Sequence, residues 1–261
     1  IDPSTIARTA VDKVVGFDIN PVSALMARVN LLLTLGSLVE QLPEVTLNVF
    51  QADSILIPEQ PTGQTTFDQV DSAVTVPLVI GNIELPKPLA NLRAISVLAR
   101  YLDKYVQEDR PPERFRQRIG KEFRSLGVHG ADLDVSLDAT VSIFERLALL
   151  HREGRDGVWA HVIEQAFAPR VVSGIDIVIG NPPWISWKNL PNAWRLRSES
   201  TWRQWGLWQT AARGKGTPMG DISSLLLARS IATYAPDGVA ALLLPEGVLV
   251  NDPGGRAIRS C

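Results

Sequence analysis

Cysteine is nearly absent: the single one, Cys261, is the last of 261 residues. That excludes a disulfide framework and a thiolate zinc site. Histidine is scarce as well. His129, His151 and His161 stand apart in helical-looking sequence and read as packed or solvated side chains rather than metal ligands. Neither charge sign dominates. Lysine and arginine total 26 against 28 acidic residues, a net charge of −2, so any contact with nucleic acid has to be a local feature. No stretch reads as long and apolar enough to cross a membrane, and there is no signal peptide. The chain opens on IDPSTIARTA, without an initiator methionine, and stops after GGRAIRSC; both ends read as cuts through a longer protein. What is plentiful is apolar matter. A hydrophobic content of 45% supports a substantial core, in one large domain or in one domain with an insertion.

KVVGFDIN (13–20) reads as a buried strand that ends in an acidic turn. PVSALMARVNLLLTLG (21–36) follows, with proline at a helix start and glycine at its stop. Leu25, Met26, Val29, Leu32 and Leu33 fall at helical spacing and predict a core-facing stripe. VTLNVFQADSIL (45–56) is a second strand, again ending at an aspartate. This β-α-β order argues for a parallel sheet with helices on its faces. The pattern then breaks. TTFDQV (65–70) and VTVPLVI (74–80) resemble short hairpin strands. Residues 88–127 look helical, with Leu89, Leu92, Ile95, Leu98 and Leu102 on one face and a break at the paired prolines of DRPPERFRQR. Two more helices are predicted, near 136–152 and 156–167. A connection this long with its own apolar period should be a subdomain. The sheet resumes at GIDIVIG (174–180). DISSLLLARSIATYA (221–235) predicts a helix capped by Asp221, and VAALLLPEGVL (239–249) a near-continuous apolar strand of the buried parallel kind.

Three places carry candidate chemistry. Asp18 and Asp53 end two predicted parallel strands, the edge at which open α/β sheets bind ligands. Each also reads as a simple cap of the turn after it. GNPPW (180–184) is more specific. Its prolines fix the backbone and remove N–H donors, so the Pro182 carbonyl is presented in a rigid pose. The Asn181 amide oxygen adds a second acceptor. Together they would grip the two hydrogens of an amino group while Trp184 stacks on a planar ring.

At these residues the sequence resembles the S-adenosylmethionine-dependent, adenine-specific DNA methyltransferases of gamma motif order, in their restriction-modification or phage-defence form. GFDINPVSALMARVN resembles the acidic cofactor motif, FQADSIL the following Asp motif, DIVIGNPPW the catalytic motif, and 221–249 the helix-turn-strand after it. The resemblance spans 13–56 and 174–256. It implies an α/β, Rossmann-like methyltransferase sheet, incomplete at the N-terminus, with a largely helical insertion: a first core part over 1–56, the insertion over 57–172 and a second core part over 173–261. It implies S-adenosyl-L-methionine as cofactor, with Asp18 on the ribose hydroxyls and Asp53 on the adenine amino group. Asn181 and Pro182 would hold the target amino group and Trp184 would stack on the base. The partner is DNA with its target adenine flipped out of the duplex, there is no membrane, the location is cytoplasmic, and more chain is implied at both ends. A glycine-rich cofactor loop is expected just before residue 1. GKGTPMG (214–220) does not replace it, because it follows no predicted strand and lacks the Ser/Thr after Gly-Lys; it reads as a flexible loop. These residues alone are therefore expected to bind cofactor weakly or not at all, and to be inactive by themselves. The alternatives are a protein glutamine methyltransferase, disfavoured by Trp184 in place of the usual tyrosine and by the long path to Asn181, and a non-catalytic nucleic-acid-binding remnant.

Two further stretches bear on the partner. Trp184, Trp187, Trp194, Trp202, Trp205 and Trp208 lie within 25 positions, among Lys188, Arg195, Arg197, Arg203, Arg213 and Lys215, with Glu199 the one acid between them. This is either a surface that grips a strand or a local aromatic core, with Trp202, Trp205 and Trp208 as one packed helical face. The segment 93–124 carries nine Lys/Arg against five Asp/Glu and reads as a solvated helix surface or a phosphate contact.

Overall fold

The computed structural model describes residues 2–43, 45–55, 73–78, 81–155, 158–209, 217–218, 220–246 and 248. The predicted strand TTFDQV and the greater part of GKGTPMG lie outside them. The chain divides into two compact units, Ile1–Asp53 with Ile57–Val171, and Ser54–Leu56 with Val172–Cys261.

In the first unit, helix α1 (Pro3–Lys13) starts on Asp2, which accepts from the Thr5 amide at 3.2 Å. Strand β1 (Gly16–Asp18) leads through Asn20 into α2 (Pro21–Leu35). The Asn20 side chain accepts from the amides of Val22 and Ser23 at 2.8 and 3.3 Å, satisfying two of the orphan donors of the first turn. Gly36 ends the helix at φ 53°, a left-handed conformation that glycine adopts without strain. Strand β2 (Val49–Gln51) pairs in parallel with β1, Gly16 opposite Val49 and Asp18 opposite Gln51. Arg28 ties α2 to β2 by donating to the Val49 carbonyl from Nε at 2.9 Å and Nη2 at 2.6 Å.

The stripe expected to face the core does not do so. Leu25, Met26, Val29, Leu32 and Leu33 are exposed, Leu33 by 74%. The inward positions are Ala24 and Leu35, with Arg28 and Leu31 half-buried between them. Both sets have helical spacing, and periodicity alone does not say which one the strands cover. The membrane reading is corrected here as well. With the 3₁₀ turn that follows it, α2 forms an apolar segment, Pro21–Gln41, of mean hydropathy 1.7, which is long and apolar enough to span a bilayer by length and composition. Its α-helical part has 15 residues, a rise of about 22 Å against a hydrocarbon core of about 30 Å.

Strands β3 (Ala73–Leu78) and β4 (Gly81–Pro86) form an antiparallel pair, with buried Val76 opposite buried Ile83. Four helices follow: α3 (Leu92–Gln107), α4 (Pro112–Ser125), α5 (Gly130–Arg152) and α6 (Trp159–Val171). The break between α3 and α4 falls where the paired prolines predict it. Asp109 turns the chain at φ 46°, Pro111 is extended, and Pro112 takes the first helical position. Leu98 and Leu102 of α3, Phe115 and Phe123 of α4 and Phe144 of α5 share one core. Phe115 stacks on Phe144 at 4.6 Å between ring centroids.

The second unit holds β5 (Ile177–Gly180), α7 (Asn192–Gln204), the short antiparallel pair β6 (Trp208–Gln209) and β7 (Thr217–Pro218), α8 (Ile222–Arg229) and β8 (Val239–Leu242). Helix α8 opens on Asp221, whose side chain accepts from the Ser223 amide at 2.8 Å, and it loosens into a π turn over Ser230–Tyr234. Strands β5 and β8 are parallel, Ile177 opposite Val239 and Gly180 opposite Leu242. Strand β8 is shorter and more exposed than the run 239–249 predicts. Val239 and Leu243 are 63% and 64% exposed, Ile177 and Ile179 66% and 78%. Among the described residues each parallel pair has two strands only, so no third strand or covering helix buries these apolar positions.

Candidate active site

Asn181 to Trp184 form an irregular segment directly after β5. The segment is pinned at several points. The Leu243 amide donates to the Gly180 carbonyl at 3.0 Å. The indole Nε1 of Trp184 donates to the Leu243 carbonyl at 3.0 Å. Beyond it, the Ile222 amide donates to the Ile185 carbonyl at 3.0 Å, and Ser186 bridges to Asp221. The end of β8 and the start of α8 thus hold both sides of the turn. Pro182 is buried, whereas Asn181 and Pro183 are exposed. Among the described residues no hydrogen-bond partner engages the exposed Asn181 side chain. Trp184 is 59% exposed, with its indole N–H anchored on the Leu243 carbonyl.

Close packing behind the turn sets its position. A Cβ built on Gly238 would lie 2.4 Å from the Ile175 carbonyl oxygen and 2.6 Å from that of Asp176. Only a residue without a side chain lets the turn before β8 approach β5 this closely. Gly180 is tight as well, since a Cβ built there would lie 3.2 Å from Leu242 Cδ2. Sequence reading missed the Leu243 carbonyl and Gly238. The first is a backbone group, which no side-chain pattern reveals. The second sits in a PDG turn that needs no further explanation when read alone.

Asp18 and Asp53 belong to the other unit, where the structure brings them to one edge. Asp18 is the last residue of β1, Asp53 lies two residues past β2, and the Ala52 amide donates to the Asp18 carbonyl at 3.0 Å. The Asp18 side chain is exposed, and its Oδ1 accepts from the Asn20 amide at 2.8 Å. That bond engages one of the two carboxylate oxygens. Asp53 is half-buried.

The tryptophan-rich segment is a packed core. Trp202 is fully buried, and Trp187, Trp194, Trp205 and Trp208 pack around it with Ile55, Leu190, Leu207 and Leu225. Trp187 meets Trp202 and Trp208 edge to face at 5.7 and 5.5 Å. The three residues expected on one helical face do not share it, because α7 ends at Gln204 and Trp208 lies in β6. Of the six, Trp184 alone is exposed. Arg203, one of the interleaved cations, stacks on Trp208 at 4.3 Å and pairs with Glu199 at 2.7 Å.

The described residues thus place two aspartates at the carboxyl edge of one parallel strand pair and an Asn-Pro-Pro-Trp turn at the carboxyl end of a strand in another. The family model described as Eco57I restriction-modification methylase matches residues 12–261, and the chain belongs to that family. No curated protein and no solved structure matches it.

Proposed function

We propose that the protein transfers a methyl group from S-adenosyl-L-methionine to the exocyclic amino group of adenine in DNA, as part of a cytoplasmic restriction-modification or defence system. The observation that carries this reading is the turn after β5: an unengaged Asn181 amide beside Pro182, with Trp184 held edge-on by Leu243. An adenine amino nitrogen is a poor nucleophile because its lone pair is delocalised into the ring. Two acceptors, the Asn181 oxygen and the Pro182 carbonyl, draw its hydrogens apart, bend it toward tetrahedral geometry and localise the pair. Trp184 holds the ring plane, and this plate requires the base to leave the duplex at a cost on the order of a few kcal/mol. Catalysis then rests on positioning and preorganised dipoles, without a covalent enzyme intermediate.

The cofactor supplies a methyl group on a sulfonium centre. The chain's residues fit its nucleoside half. The second carboxylate oxygen of Asp18 suits a ribose diol and Asp53 an amino group. No glycine-rich strand-turn-helix for the remainder occurs within the 261 residues. In this reading 1–56 and 173–261 are the two parts of the methyltransferase core in sequence, with 57–172 inserted between them.

The test is methyl transfer by the protein expressed from its complete gene, with labelled cofactor and duplex DNA. Label on the adenine amino nitrogen supports the reading; label on protein glutamine, or on neither, overturns it. Asn181→Ala should lower turnover by about 10²–10³, the loss typical of one preorganised polar partner, with the unfolding midpoint unchanged.

A further inference from the structure

We propose that the outward face of α4 is a docking surface for the phosphate backbone of duplex DNA, a proposal that rests on the DNA reading above. Helix α4 carries Arg114, Arg116, Arg118, Lys121 and Arg124 against Glu113 and Glu122. Its inward face is Phe115, Ile119 and Phe123, all fully buried. On the opposite side Arg114, Gln117, Arg118, Lys121 and Arg124 are all exposed. At about 100° per residue the four cations fall within about 120° of arc and extend for about 15 Å along the helix.

Three of the four carry no ion pair among the described residues, and all four share one stripe of the helix. Some arginines of this unit are neutralised, Arg93 by Asp12 at 3.2 Å, Arg110 by Glu108 at 2.9 Å and, on α4 itself, Arg116 by Asp138 at 2.7 Å, whereas Arg8 and Arg152 have no ion pair among the described residues. Among the described residues no carboxylate pairs with Arg114, Lys121 or Arg124. The nearest acid along the helix, Glu122, is already committed, accepting from Arg118 at 2.6 Å and from the Tyr101 hydroxyl at 2.9 Å. Glu113 sits at the N-terminal turn, where it complements the helix dipole. Helix α3 adds to the positive field, because the guanidinium groups of Arg100 and Arg118 both lie over the Tyr101 ring, at 5.3 and 5.0 Å.

The chemistry of the face selects its partner. Its side chains are hydrogen-bond donors with flexible stems, which suit phosphate oxygens. The outward stripe has no aromatic side chain, so it lacks the stacking plates that hold single strands. A duplex carries one charge per about 1.7 Å of axis, so about 15 Å of it offers about nine phosphates to the three unpaired cations, with Arg118 held between them by Glu122. The face would fix the duplex in register without reading its sequence.

The experiment is duplex binding by fluorescence anisotropy across a salt series, with the protein expressed from its complete gene and a triple variant, Arg114→Ala/Lys121→Ala/Arg124→Ala. Each lost phosphate contact should flatten the slope of log K against log salt by about 0.9, so about 2.7 in all. Arg114→Lys/Arg124→Lys should keep the slope, and Arg8→Ala/Lys13→Ala on α1 should leave it alone. A triple variant with the wild-type slope overturns the proposal while leaving the methyltransferase reading intact, and so does an equal loss in the α1 variant. A wild-type protein that methylates no DNA and binds none overturns the functional reading, and the proposal with it.

Discussion

Two tryptophans eighteen positions apart have opposite surroundings, and that contrast decides how each should respond to mutation. Trp202 is fully buried under Trp187. Replacing it with alanine should lower stability by about 3–5 kcal/mol through lost transfer energy and the cavity left behind, seen as a fall in the denaturation midpoint. Trp184 is 59% exposed. Trp184→Ala should leave stability within about 0.5 kcal/mol and, under the proposed function, raise KM for DNA, because the proposed stacking plate is gone. A stability loss at 184 equal to that at 202 would contradict the assignment of Trp184 to the site. Asn181, Pro182 and Trp184 stand out in the sequence as a group because their types, in that order, have few purely structural reasons to occur together. The surroundings of the other tryptophans do not. An aromatic beside a basic residue has the same spelling on a strand-binding surface and in a core, and the burial of Trp202 separates the two.

At the scale of elements, helices were legible wherever caps and apolar period agreed. Asn20, Pro21 and Gly36 mark the ends of α2, Pro111 and Pro112 the start of α4, Asp221 the start of α8. The strands were legible as positions and not as environments. β5 and β8 were found, yet Ile177, Ile179 and Val239 are exposed, because an apolar run does not encode what lies against it. The approach of β8 to β5 offers a direct check. Gly238→Ala would force a methyl group against two carbonyl oxygens and should destabilise by about 1–3 kcal/mol. It should also lower methyl transfer, since the Leu243 carbonyl that positions Trp184 moves with β8. Asp221→Ala should cost about 1 kcal/mol by loss of the cap, readable as a lower thermal midpoint.

On the scale of the whole molecule, the two units interleave along the chain. Residues 54–56 belong with Val172–Cys261, while the chain on either side of them belongs to the first unit. The insertion is easy to see in the sequence as a change of period, but this membership is not, since three residues are too few to carry any pattern. The attachment is specific. Ile55 is buried against the tryptophan core, Arg229 donates to its carbonyl at 3.3 Å, and the Tyr234 hydroxyl donates to the Ser54 carbonyl at 3.0 Å. The consequence concerns how the gene can be divided. A coding segment that starts at 172 lacks the strap, leaving a hole where Ile55 sat and stripping two donors of their acceptors. Libraries that shuffle or split this family at its evident sequence boundary should recover soluble second halves only when the short strap travels with them, for instance through a permuted joint that places 54–56 before 172.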